Sequence, residues 1–186
     1  MINICISVNG EQLMYLGDSV CDWEHRVDCG DRPIWISFHT ENNEQYDSAL
    51  FQELDSGKSI IFTVQAPNDA HIGFMCVGCS NKFYEIVIGG SGNTYSVIRR
   101  KMLHTIGGES KVWASTPGIL HGNEYRPFWA DALNGLVRLG KGNIIGQNVV
   151  MQWQDPNPII PNSIGFMTGW GASGDWNIKS LGTVFA

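Results

Sequence analysis

The chain has 186 residues, with 12 Lys and Arg against 18 Asp and Glu, and a formal charge of −6. Hydrophobic residues make up 43% and charged residues 16%, which describes one folded domain with a sizeable core and not a disordered segment. The negative balance argues against nucleic acid as a partner: the basic run Arg99-Arg100-Lys101 reads as a solvated strand end, with no second basic patch beside it.

The opening MINICISVNG lacks the basic region and apolar stretch of a signal peptide. It is read either as an intracellular start or as a start after a removed leader. No apolar run approaches the roughly 20 residues that span a bilayer, so no membrane insertion is expected. Ile2, Ile4 and Ile6 alternate and suggest a short edge strand. Asp18 to Asp31 is polar and reads as a loop. Pro33 to His39 gives another strand, with Ile34, Ile36 and Phe38 on one face and Trp35 on the other. The acidic connection ENNEQYD follows, then one or two helical turns within Tyr46 to Leu54, where Leu50 and Leu54 are four apart.

From Ser59 to Arg100 the chain alternates almost without interruption. Ile60, Phe62 and Val64, then Ile72, Phe74 and Cys76, then Tyr84, Ile86 and Ile88 each fall on one face. A period of two in β-branched and aromatic residues marks strands buried on one side. Pro67-Asn68-Asp69, Gly78 to Asn81 and Gly89 to Asn93 close the runs, so this is a four-strand meander. Lys111 to Ala114 adds at most a short strand. Tyr125 to Ala130 and Leu136 to Leu139 read as a hairpin around Asp131 to Gly135, and Gly140 to Gly146 as a turn. Val149 to Trp153 is a strand. DPNPIIP, Asp155 to Pro161, cannot be an interior strand because its three prolines withhold donors. Ile164 to Trp170 and Trp176 to Ile178 complete an all-β antiparallel sandwich of about ten short strands, a single domain over residues 1–186.

Chemistry-bearing motifs are sparse. The five cysteines leave an odd thiol, and CVGC at Cys76 and Cys79 has no second CxxC to complete a zinc site. A structural role, as a local disulfide or buried thiols, is expected for it. The histidines show neither HxH nor HExxH spacing, and there is no GxSxG elbow. Gly89-Gly90-Ser91-Gly92 follows a strand but leads into another, NTYSVI, so it offers no helix N-terminus to a nucleotide-like cofactor. No catalytic residue is expected.

Several motifs in order carry a family resemblance: NDAHIGF, YEIVIGGSGNT, SVIRR, YRPFW, WQDPNPI and IGFMTGWGASGDW, over roughly residues 58 to 179. They resemble the domain named after farnesoic acid O-methyltransferase. Related domains look like secreted invertebrate proteins, some similar to sugar-binding lectins. The resemblance therefore implies an extracellular, non-catalytic carbohydrate-binding protein. An interaction module without sugar binding is the second reading, and S-adenosylmethionine-dependent methyl transfer the third.

If the strands run up and down, alternate connections share an end of the sandwich. That places Asp69, Asn93, Asp131, Asn134, Asp155 and Asn157 together as a candidate sugar site. Turn chemistry also explains these residue types. Asp69, Asp131 and Asp155 would there supply carboxylates to a calcium ion, which takes six to eight oxygen ligands. The alternative cluster is Trp170, Asp175 and Trp176 at the opposite end. Trp170 and Trp176 are expected to be the exposed tryptophans, while Trp113, Trp129 and Trp153 pack in the core. A homodimer is expected from multivalency and exposed sheet edges.

Overall fold

The computed structural model describes residues 3–8, 11–16, 19–21, 35–46, 52–53, 59–76, 78, 81–102 and 108–179. Near the start, β1 (Asn3–Val8), β2 (Glu11–Leu16) and β3 (Ser19–Cys21) form a separate antiparallel sheet in that order. The expected edge strand is therefore β1, and part of the expected Asp18–Asp31 loop is β3.

Two six-stranded antiparallel sheets make the sandwich. Its strands are β4 (Trp35–Thr40), β5 (Gln52–Glu53), β6 (Ser59–Gln65), β7 (Ala70–Met75), β8 (Lys82–Gly89) and β9 (Tyr95–Met102), followed by β10 (Glu109–Ser115), β11 (Arg126–Leu133), β12 (Leu136–Lys141), β13 (Val149–Gln154), β14 (Ser163–Thr168) and β15 (Gly174–Lys179). The first sheet runs β10-β9-β8-β7-β14-β5 and the second β13-β12-β11-β6-β15-β4. The helical turns expected within Tyr46–Leu54 meet a strand at Gln52–Glu53, paired with β14. The remainder of that stretch beyond Tyr46 lies outside the described residues.

Alternation decides which side chains enter the core. Ile72, Phe74, Ile86 and Phe166 come inward from the first sheet, and Phe62, Phe128 and Trp176 from the second. Phe166 and Trp176 join the layers, with ring centroids 5.1 Å apart. Each such side chain fully removed from water contributes about 1.5–3 kcal/mol. The outer face of the first sheet is buried too: Met75, Phe83, Val87, Val97 and Met167 lie on it. Tyr46 crosses this face, its ring edge-on to Phe83 at 5.7 Å.

Consecutive strands do run up and down, but the ends are populated differently from the expectation. Lys111–Ala114 belongs to a full seven-residue strand, β10. One extra full strand inverts the parity of every later connection. Asp69 hydrogen-bonds through its backbone N–H to Gly89 O at one end. The Asn134-Gly135 turn and Asp155 meet at the other, where Asp155 N–H donates to Gly135 O at 2.9 Å. The six residues expected together are thus divided. Asp69 and Asn93 share an end with the Gly169–Gly171 turn, whereas Asn134, Asp155 and Asn157 lie opposite and Asp131 sits within β11.

Candidate binding site at the β14–β15 turn

Of the expected residues at the far end, Asp155 is committed to the fold, whereas Asn134 and Asn157 are exposed. Asp155 is buried and accepts from Tyr84 Oη at 2.9 Å, Arg100 Nη1 at 2.9 Å and the Asn157 backbone N–H at 2.9 Å. Burial raises the Tyr84 hydroxyl to about 12; the backbone bond at Ile159 opposes this and Asp155 reinforces it. Asn157 is exposed on the rim of an open cleft of about 620 Å³ that Lys82, Arg100 and Ile160 also line. Asn134 and Gly135 have φ of 51° and 81°, the two-residue type I′ turn that closes the β11–β12 hairpin.

Asp131 lies on the outer face of the second sheet. Its two carboxylate oxygens pair with Arg138 Nε at 3.0 Å and Nη2 at 2.5 Å. That guanidinium also covers the Trp129 ring at 5.2 Å. Asn93 clasps Leu120 through both halves of its amide, donating to O at 2.9 Å and accepting from N–H at 3.1 Å. Asp69, Asp131 and Asp155 therefore do not come together: Asp131 and Asp155 each hold their own arginine, and Asp69 sits at the opposite end, 3.9 Å from His71 Nε2. Among the described residues no group of three His, Cys, Asp or Glu could hold a metal ion.

The alternative cluster also divides. Trp176 is fully buried and its indole donates to Thr40 Oγ1 at 2.8 Å, so it is a core residue. Asp175 is half-exposed and bonds His39 Nδ1 at 2.7 Å. Trp170 is 52% exposed with φ 49°, a left-handed backbone that a bulky side chain rarely adopts. One face of its ring lies on His71, 4.9 Å away and only 14° from parallel. Trp113, expected in the core, is exposed on edge strand β10.

Three segments converge on Trp170. The first is its own turn, Gly169–Gly171, where Ala172 N–H closes back on Gly169 O. The second is Glu41–Tyr46, which leaves β4 and runs beside β14. Asn42 Oδ1 accepts from Gly171 N–H at 3.0 Å, and Glu44 N–H donates to Thr168 O at 3.3 Å. The third is Asn68-Asp69 leading to His71. Glu41, Asn42, Asn43, Glu44 and Gln45 are all exposed, and Glu44 adopts φ 55°. Sequence reading missed this polar segment because ENNEQYD looks like any solvated connection; only its path beside the β14–β15 turn makes it part of a site.

His71 and Glu85 lie beneath. Glu85 is fully buried and accepts from Tyr46 Oη at 3.0 Å, and its Oε1 lies 3.3 Å from His71 Nδ1 and 3.2 Å from Lys101 Nζ. Arg99 Nη1 reaches its other oxygen at 3.3 Å. Burial alone would raise this carboxyl, but His71, Lys101 and Arg99 outweigh it and hold Glu85 at about 2. Burial, then Glu85 itself, pushes the Tyr46 hydroxyl well above its ordinary value. The ionised carboxylate can only accept, so His71 Nδ1 donates to it. What this ground can do is hold a ring on one flat aromatic face and offer polar groups around it. No nucleophile paired with a base lies there among the described residues.

Fold and site thus define a two-sheet antiparallel β-sandwich with a solvent-facing tryptophan platform at one end. A family model described as farnesoic acid O-methyl transferase matches residues 35–181, and the protein belongs to that family. A BTB/POZ domain-containing protein of Arabidopsis thaliana is 28% identical over 60% of this chain, a match that spans only 14% of that protein. Among solved structures, a prokaryotic β-1,3-1,4-glucanase (lichenase) from a mouse hindgut metagenome aligns at TM-score 0.46 and 12% identity, covering 81% of this chain and 80% of that one. A Bacillus licheniformis β-glucanase aligns at TM-score 0.44 and 12% identity, covering 77% and 97%.

Proposed function

We propose that this chain is a non-catalytic carbohydrate-binding domain whose glycan rests on the open face of Trp170. The observation that carries the reading is the tryptophan itself. An apolar ring half in water, on left-handed backbone and backed by a buried histidine, is presented rather than packed. The C–H face of a sugar stacks on such a ring, and hydroxyls find amide and carboxylate partners in Asn42, Asn43, Glu44 and Gln45. A glycan array tests it. Wild-type protein retains a subset of glycans, and Trp170→Ala weakens their binding by about tenfold. Equal retention by both proteins contradicts the site.

Methyl transfer is not the reading we favour, despite the family's name. The Gly89–Asn93 turn joins antiparallel neighbours β8 and β9, so it points no helix N-terminus at a cofactor. Stoichiometric S-adenosylmethionine binding by calorimetry contradicts this view. Cys76 is disulfide-bonded, which supports an extracellular setting. Exposed edge strand β10, with Trp113 outward, supports a homodimer. A monomer at high micromolar concentration in sedimentation speaks against that dimer.

A further inference from the structure

The Trp170 end holds hydrogen-bond acceptors that no donor among the described residues meets. His71 is 1% exposed, and its Nε2 is buried without a partner. Nδ1 faces Glu85, and Nε2 is the ring nitrogen on the Asp69 side. Asn68 Oδ1 is likewise buried without a partner. The Asp69 carboxylate is nine-tenths buried; His71 Nε2 lies 3.9 Å from its Oδ1, too far for a hydrogen bond. Asn68, Asp69 and His71 stand within four positions of one another, beside the ring that Trp170 lays on His71.

A buried amide oxygen beside a carboxylate selects its ligand. A hydroxyl brings one proton. A protonated primary amine brings three donors, no acceptor and a positive charge. The nearby cations are already committed, since Arg99 and Lys101 both pair with Glu85. Glu41 and Glu44 add exposed negative charge on the neighbouring segment. Trp170 offers a face that attracts cations as well as C–H groups. An acidic sugar would meet like charge at Asp69, Glu41 and Glu44.

We infer that the Asn68 amide oxygen and the Asp69 carboxylate take the ammonium group of an amino sugar whose ring stacks on Trp170. The inference rests on the glycan-binding reading above and narrows it to glycans bearing free amines. N-acetylation removes both the charge and two of the three donors, so the de-N-acetylated hexosamine is the distinguishing ligand.

Calorimetry on the full chain compares three oligosaccharides of equal length: an oligomer of glucosamine, its fully N-acetylated counterpart and a neutral β-glucan. The amine form binds about tenfold more tightly than either of the others. Asp69→Asn, which keeps the shape and tolerates the φ of 47° at that position, removes this preference. Equal binding of the three, or tighter binding of the N-acetylated form, overturns the ammonium inference and leaves glycan binding standing. Failure of the amine form while the array retains another glycan overturns it in the same way. No binding to these or to any array glycan overturns both. A lysine oligomer of matched charge that binds as tightly, with the same sensitivity to Asp69→Asn, also overturns the amino-sugar assignment.

Discussion

Trp170 illustrates how one residue can be held against its own preference. Left-handed backbone at a bulky residue costs of order 1–3 kcal/mol, and stacking on His71 returns about 1 kcal/mol. Trp170→Gly relieves the backbone and loses the stack. Its unfolding free energy should therefore stay within about 1 kcal/mol of wild type, while glycan affinity falls. A large loss of stability in urea melts would make Trp170 a structural residue instead. Glu85 gives a pH signature. Its folded value of about 2 lies below the ordinary 4.5, so the stabilisation is present above about pH 4.5 and is lost as pH falls towards 2. The loss is roughly 3 kcal/mol in total, and Glu85→Gln should flatten that part of the acid profile. Acid melts of the two proteins with equal slopes between pH 4.5 and 2 would contradict the network. Asp69 and Trp170 were visible in the sequence as a turn acid and a glycine-flanked aromatic. Their neighbours Asn42 to Gln45 were not, because contact between residues more than a hundred positions apart leaves no local signal.

At the level of strands and turns the sequence was most readable where burial is one-sided. The meander, the β11–β12 hairpin and the proline-rich DPNPIIP segment all sit where alternation and turn residues put them. β10 was not readable as a full strand. Its residues Glu109 to Ser115 are exposed or half-buried throughout, and a register shift between Ser110 and Val112 breaks the period of two. That one strand reversed the expected placement of every later loop, which is why Asp69 and Asp155 were put together. Close packing within the second sheet is testable at Gly140. A Cβ there would fall inside the Trp129 indole, 2.2 Å from Cε2, while that indole donates to Gln147 O. Gly140→Ala should destabilise by about 2–3 kcal/mol, read as a lower denaturant midpoint, without moving glycan affinity. A neutral substitution would mean that Trp129 repacks freely.

Taken as a whole, the molecule has two unlike ends. One end locks Tyr84, Arg100 and Asp155 into a buried network around the proline-rich segment. The opposite end presents an aromatic face, an exposed amide-rich segment and unmet acceptors. Fold class followed from composition and alternation because a sandwich core is built strand by strand. The binding end did not, since it is assembled by the parity of all the strands together. Its location can be measured directly by amide and indole NMR shifts during titration with the tightest glycan from the array. The account predicts that the shifts concentrate at the Trp170 indole, at residues 42–45 and 68–71, and at the Gly169–Gly171 turn. Shifts centred instead on Asn134, Asp155 and Asn157 would contradict it.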